Sequence, residues 1–336
     1  MSDLKTNAVI FPEANKFVIT ELQLEPPGPT EIIVRTLVSA ISPGTERWIL
    51  RGKHIGTTFP CAPGYHRIGI VEYCGSDVNR FQVGDVVYGS ANRWKGDIVS
   101  MWGAHVGLSV GEQVEYRFLS TTLPARVELE ALSFTVLASV AHRGIRFCEV
   151  KSRQRLLIIG GGFLGLCAAQ FAIYRGAEAA LLDLDDNRIA LAKQFTPHAY
   201  RPDDPEMEEK LRAIAPDGFD LLYDTVGHAE TTDLLVPLIR QQGSLLLQAQ
   251  YFDRQHCAIN LDQIKLRELT MKTTCGCDGL DIAETIAAIR QRTVQVTPTI
   301  THRFEARDAL QGFEILHTGQ PFNMGIVLRW DERMRD

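Results

Sequence analysis

Apolar and polar positions alternate along the first third of the chain at the spacing of β-strands. Asn7-Ala8-Val9-Ile10-Phe11 and Lys16-Phe17-Val18-Ile19 predict two hairpin strands, and Pro26-Pro27-Gly28-Pro29 a turn. A long strand is expected over residues 31–38, with shorter ones over 69–73 and 85–88. No helical period shows here, so the pattern predicts an all-β beginning. From residue 129 the period changes, and residues 129–138 and the stretch through Arg146 predict helices. Leu156-Leu157-Ile158-Ile159 then reads as a buried parallel strand. A helix up to Arg175-Gly176 and a second strand, Ala179-Ala180-Leu181-Leu182, follow it. Further strands are expected over 220–224, 243–248 and 269–274, and a helix over 281–291. After Pro298 the pattern gives short irregular and strand-like pieces, ending over 325–330. The chain shows no internal repeat and no low-complexity segment.

The junction after the first buried strand carries chemistry. Gly160, Gly162 and Gly165 form G-x-G-x-x-G between a strand and a helix. The first glycine allows a tight turn, the second a close backbone approach to a pyrophosphate, and the third close packing of helix on strand. The helix opening at Phe163 and Leu164 offers N–H groups and a positive dipole end to phosphate. Asp183 lies 18 residues after Gly165 and ends the second strand. That spacing suits a carboxylate accepting the adenosine ribose hydroxyls, and it repels a 2′-phosphate, so NAD is expected over NADP. Arg188 is expected to stack near the adenine edge or to pair with Asp185.

Composition narrows the class. With 336 residues, 45% hydrophobic, the chain suggests a packed protein of about two domains. A net charge of -6 favours neither nucleic acid nor an acidic membrane surface. No apolar run reaches the ~18 residues of a membrane span. The N-terminus lacks a signal-peptide core, so a cytoplasmic protein is expected. Seven scattered cysteines do not form a disulfide framework. Cys275-Gly276-Cys277 is the one close pair, and small-hydrophobe behaviour is expected of it.

Three further blocks carry a family resemblance. Gly64-Tyr65-His66-Arg67-Ile68-Gly69-Ile70-Val71 stands for G-H-E-x-x-G-x-V, and Val83-Gly84-Asp85-Val86-Val87 for V-G-D-x-V. Phe219-Asp220-Leu221-Leu222-Tyr223-Asp224-Thr225-Val226-Gly227 stands for F-D-x-x-x-D-x-x-G. Over nearly its whole length the chain resembles the medium-chain dehydrogenase/reductase superfamily. The resemblance implies an α/β protein: a GroES-like β-rich catalytic domain, residues 1–126 with 297–336, and a Rossmann doubly wound parallel sheet, residues 127–296. It also implies that Thr225 and Val226 lie beside the cofactor.

The chain departs from the zinc-dependent members. In Ile41-Ser42-Pro43-Gly44-Thr45-Glu46, Pro43 stands where the first ligand, a cysteine, should be. Tyr65 replaces the ligand histidine, and Thr135-Val136-Leu137 offers no third ligand. Residues 85–147 contain no cysteine for a structural-zinc lobe. No metal is therefore expected; a rearranged site using His66, His105 and His142 is the rival reading. The segments 39–47, 63–65 and 141–142, with Trp330, look closest to a zinc-lacking branch that includes 3-hydroxyethyl bacteriochlorophyllide a dehydrogenases. His66 stands where that group has Glu.

The resulting expectation is a zinc-independent, NAD-dependent oxidoreductase moving hydride between nicotinamide and a secondary alcohol or ketone. The alternatives are a zinc-free quinone or enone reductase and a dinucleotide-binding protein without turnover. Tyr65 is the candidate proton donor, His66 a relay, Thr45 a hydroxyl relay, and His142 a residue facing the nicotinamide ribose. Trp94 and Trp102 either line the substrate mouth or pack the lobe in place of a metal. A small-molecule substrate and a homodimer joined along residues 269–274 complete the expectation.

Overall fold

A computed structural model of the chain describes residues 4–251 and 257–334. It divides into two compact units, residues 1–134 with 299–336, and residues 135–298.

The second unit is built on six parallel strands. Their order across the sheet is Ala199–Tyr200, Glu178–Leu182, Arg155–Ile159, Phe219–Asp224, Ile239–Leu247 and Thr270–Thr273. In chain order this is 3-2-1-4-5-6, the doubly wound arrangement whose ligands bind beyond the carboxyl ends of the central strands. The strands read as continuous apolar runs because helices cover both faces. Leu157, Ile159, Leu182, Leu222 and Leu245 are buried in one cluster, each side chain contributing roughly 1.5–3 kcal/mol. The helix Phe163–Tyr174 is apolar almost all round and buries Leu166, Cys167, Ala168, Ala169 and Phe171.

The fifth strand of this sheet starts at Ile239, earlier than the apolar signal at 243. Residues 240–242 are polar, Gln242 takes a left-handed conformation, and the pairing slips between Phe219 and Leu221. The helix expected from 129 is two helices, Arg126–Leu132 and Thr135–Phe147. Between them the Ser133 hydroxyl donates to the Glu130 carbonyl at 2.7 Å, an alternative bond of the kind that interrupts a helix. The first of these helices belongs with the β-rich unit.

That unit is a mostly antiparallel sheet in the order Ile300–Glu305, Gly325–Arg329, Glu31–Ile41, Arg67–Cys74, Val86–Gly89, Tyr116–Ser120, with Leu108–Glu112 also paired to Glu31–Ile41. The expected hairpin is present as Lys5–Ile10 against Val18–Gln23. One helix breaks the all-β beginning, and another the short irregular and strand-like pieces expected after Pro298. Thr45–Leu50 spans 6 residues, too few to display a period. Ala309–Thr318 buries Ala309, Gly312, Phe313 and Leu316, a helical i, i+3, i+4, i+7 pattern, and stops at left-handed Gly319. Cys275 is exposed rather than packed, and Cys277 half-buried. Among the described residues no helix is long and apolar enough to cross a membrane.

The C-terminal return is fastened by charge. Glu130 accepts two bonds from Arg329, at 2.7 and 2.9 Å, and one from Arg303 at 2.7 Å. Glu130 and Arg329 are buried. Removing one member of a buried pair leaves the other uncompensated. Glu130→Ala is therefore expected to destabilise the chain by about 3–5 kcal/mol. Urea unfolding should show this as a lower midpoint, and an unchanged midpoint would refute the role.

Candidate active site

In the nucleotide unit the first βα turn has the expected form. Gly160 takes φ +102, and a Cβ on Gly165 would lie 1.9 Å from the Gly160 carbonyl oxygen. Glycine is thus required at both positions. A Cβ on Gly162 would meet nothing within 4 Å, and no side chain caps the helix that starts at Phe163. An open space over an uncapped helix N-terminus suits a pyrophosphate, which Phe163 and Leu164 would face through their backbone.

Asp183 follows the strand Glu178–Leu182, its carboxylate largely buried. It accepts from the Gly161 backbone N–H at 2.6 Å and the Asp185 N–H at 2.9 Å. The carboxylate therefore props the glycine turn, and its remaining lone pairs are available to hydroxyls. Arg188 approaches Asp183 at 3.5 Å through Nη1, whereas Asp185 caps the following helix through the Asn187 and Arg188 backbone. The expected Arg188–Asp185 side-chain pair is thus replaced by Arg188–Asp183: capping engages the Asp185 carboxylate.

Thr225 is pinned to the end of the first strand, its hydroxyl donating to the Ile159 carbonyl at 2.6 Å. Val226 beside it is exposed. The turn is organised by a residue not singled out from sequence, Asp224. It is fully buried and accepts from the Val226 and Gly227 N–H groups, the Thr232 hydroxyl and the Tyr251 phenol. Burial and this carboxylate push the Tyr251 phenol above its ordinary pKa. The signal was the second acid of the Phe219–Gly227 block.

His142 is buried with both ring nitrogens taken, Nδ1 by Asp281 at 3.0 Å and Nε2 by Glu284 at 2.9 Å. Arg143 and Arg146 bind the same Asp281 carboxylate. Here His142 joins the helices Thr135–Phe147 and Gly279–Arg290, so its ring is engaged in packing rather than presented to a cofactor.

In the β-rich unit the structure brings two candidates together. The Thr45 hydroxyl and the Tyr65 phenol lie 2.6 Å apart, and either can donate. The Tyr65 ring packs on Trp102 with centroids 4.7 Å apart. Trp102 is half-exposed, sits at φ +64, and lines an open cleft of about 470 Å³ with His54, Ser90, Asn92, Ser100 and Met101. Trp94 instead packs inward among Leu24, Ile33 and Val110, its indole N–H donating to the Ile98 carbonyl. Trp94 thus packs the lobe, and Trp102 faces an open cleft.

The segment carrying Trp102 is held by a residue that sequence reasoning passed over. Arg67 is fully buried and donates to the Ala91 and Gly103 carbonyls, the Asn92 side chain and the Tyr116 hydroxyl, at 2.6–3.1 Å. These bonds clamp the two ends of the segment 91–103.

His66 points into packing beside Tyr88, and its buried Nδ1 has no partner. Burial first, and then the Arg67 and Arg117 charges, lower its pKa to about 4. A neutral, unpartnered imidazole makes a poor relay near pH 7, which corrects that expectation for His66. His105, a member of the rival metal set, has one nitrogen on Ser39 and the other on Glu46. Pro43 has no donor atom, and Tyr65 is engaged with Thr45. This donor set does not fit zinc, which needs thiolate, neutral imidazole or carboxylate. Among the described residues no three His, Cys, Asp or Glu side chains group as metal ligands.

A doubly wound parallel sheet with a glycine-rich first turn, and a β-rich unit bearing a close hydroxyl pair, define a two-domain dehydrogenase fold. Comparison with known proteins agrees. Residues 28–127 match the alcohol dehydrogenase GroES-like domain, and residues 164–291 the zinc-binding dehydrogenase domain. L-threonine 3-dehydrogenase of Vibrio atlanticus is 23% identical, over 93% of this chain and 95% of that protein. An Escherichia coli oxidoreductase/dehydrogenase of unknown specificity, involved in membrane biogenesis, superposes with a TM-score of 0.84 at 20% identity, over 97% and 99% of the two chains. A zinc-binding-type dehydrogenase from Sinorhizobium meliloti 1021, bound to NADP, gives 0.81 at 18% identity, over 97% and 99%. The chain belongs to the medium-chain dehydrogenase/reductase superfamily. It is an oxidoreductase of the alcohol-dehydrogenase type that works with a nicotinamide dinucleotide.

The state of His66 yields a pH prediction. Its folded pKa lies below that of the unfolded chain, so the associated stability is fully present above about pH 6.5 and is lost as pH falls through about 4. His66→Phe should remove about 2–3 kcal/mol of the acid destabilisation over that window. Urea midpoints for both proteins at pH 7 and pH 4.5 check this. Parallel acid losses would contradict it.

Proposed function

We propose that the chain is a zinc-independent, NAD(H)-dependent oxidoreductase that interconverts a secondary alcohol and a ketone. The Thr45–Tyr65 bond, at the position where related enzymes hold metal, carries this reading. The dinucleotide, when bound, supplies or accepts the hydride at its nicotinamide ring. The chain must then steady the substrate oxygen and handle its proton. A tyrosine phenol has an unperturbed pKa near ~10, so near neutral pH Tyr65 is protonated and can donate to a carbonyl oxygen. Thr45 can relay a proton to Tyr65 by giving up its own hydroxyl hydrogen as it takes one from solvent water. We assign Gly160, Gly162, Phe163, Leu164 and Gly165 to the pyrophosphate and Asp183 to the adenosine ribose. Thr225 and Val226 belong beside the nicotinamide half.

The reading extends to setting and assembly. We place the protein in the cytoplasm, consistent with its scattered free cysteines. The strand Thr270–Thr273 ends the parallel sheet, and exposed Leu261, Leu266 and Met271 lie on or near it. An exposed strand edge is a liability unless paired, and a two-fold axis closes both copies at once. We therefore propose a homodimer along this strand.

Tyr65→Phe should leave NADH affinity unchanged and lower kcat by roughly 10²–10⁴-fold. The assay is a panel of aliphatic and aryl secondary alcohols, their ketones, enones and L-threonine. Full turnover by Tyr65→Phe would remove the phenol from the mechanism. Turnover of enones alone would favour a quinone or enone reductase, and NADH binding without any turnover a non-catalytic protein.

The Asp183 carboxylate would lie against a 2′-phosphate, so NADH should bind more tightly than NADPH, and Asp183→Asn should narrow the difference. Fluorescence titration of both cofactors measures it. Tighter NADPH binding by the wild-type chain would overturn the assignment.

A further inference from the structure

One buried hydrogen-bonded chain runs through the β-rich unit from Trp330 to Glu46. The Trp330 indole N–H donates to the Ser39 hydroxyl at 2.9 Å, Ser39 meets His105 Nδ1 at 2.8 Å, and His105 Nε2 meets Glu46 at 2.9 Å. An indole N–H only donates, and one arrangement that satisfies every member has Ser39 donating to His105 Nδ1 and His105 Nε2–H donating to the Glu46 carboxylate. Ser39, Glu46 and His105 are buried.

Both ends of the Glu46–His105 pair touch backbone that carries the hydroxyl pair. The second Glu46 oxygen accepts the Ser42 backbone N–H at 2.7 Å, which closes the turn leading into Thr45. A Cβ on Gly64 would lie 2.7 Å from the His105 ring, so the imidazole backs directly against the residue before Tyr65. The His105 ring also packs on Phe313 at 5.6 Å, in apolar surroundings. In such a place an apolar pair of similar volume would stabilise the fold at least as well. What a carboxylate–imidazole pair adds is direction: it fixes two backbone segments relative to each other.

We infer that Glu46 and His105 are positioning residues that set the Thr45–Tyr65 separation. The inference rests on Tyr65 as the proton donor. A 2.6 Å bond between hydroxyls on separate segments requires both backbones to be held to a fraction of an ångström, and misplacement by about 1 Å can cost about 10²-fold in rate.

Glu46→Gln and His105→Gln, assayed with the best ketone of the panel, should lower kcat roughly 10- to 100-fold with KM and NADH affinity little changed. In a Tyr65→Phe background either change should cause no further loss, since it acts through the phenol. Wild-type kcat in both single variants, or losses that multiply in the double variants, would overturn the inference while leaving Tyr65 as donor. A silent Tyr65→Phe would remove both readings together. Crystal structures of the two variants give a readout that needs no turnover: the Thr45–Tyr65 bond should be broken, and an unchanged bond would overturn the inference.

Discussion

A charge can enter a protein core only where partners wait for it, because desolvation costs several kcal/mol per ion. Among the described residues of the β-rich unit, Glu130, Arg67 and Glu46 show how this constraint is met. Glu130 is met by Arg303 and Arg329, so the C-terminal strands close onto the helix Arg126–Leu132. Arg67 is met by two carbonyls, an amide oxygen and a phenol, so residues 91–103 are held to the strand Arg67–Cys74. Glu46 is met by His105 and the Ser42 backbone. Each solution ties together segments distant in sequence, and apolar packing fills the space between them.

The nucleotide unit obeys a different constraint, that of close backbone approach. Gly165 sits so near the Gly160 carbonyl that no side chain fits, and Asp183 accepts the Gly161 N–H from the neighbouring strand. The turn is therefore held by the protein's own bonds, and Asp224 holds the turn at Val226 and Gly227 in the same way. Pre-organisation of this kind reduces the ordering cost of binding.

Much of this was legible in the sequence. The glycine turn, its flanking strand and helix, and Asp183 announce themselves because backbone geometry there admits few residue types. Buried strands such as Arg155–Ile159 show as apolar runs. The helix Thr45–Leu50 was hidden by its brevity, although the pattern of Ala309, Gly312, Phe313 and Leu316 was there to be read. The partners of buried polar groups were not legible, because they are set by tertiary pairing between distant segments. Thr45 and Tyr65 are candidates from the family resemblance alone, and nothing local shows that their hydroxyls meet. Arg67 looked like one more residue of a strand, and His142 like a ligand-facing histidine until Asp281 and Glu284 were seen on its two nitrogens.

The central claim is that a hydroxyl pair does here what a metal does in related enzymes, and metal content tests it most directly. Elemental analysis of the purified protein, paired with turnover before and after exhaustive chelation, is the measurement. The account predicts no stoichiometric zinc and unchanged turnover. One zinc per chain, lost together with activity on chelation and restored by adding the ion back, would contradict it.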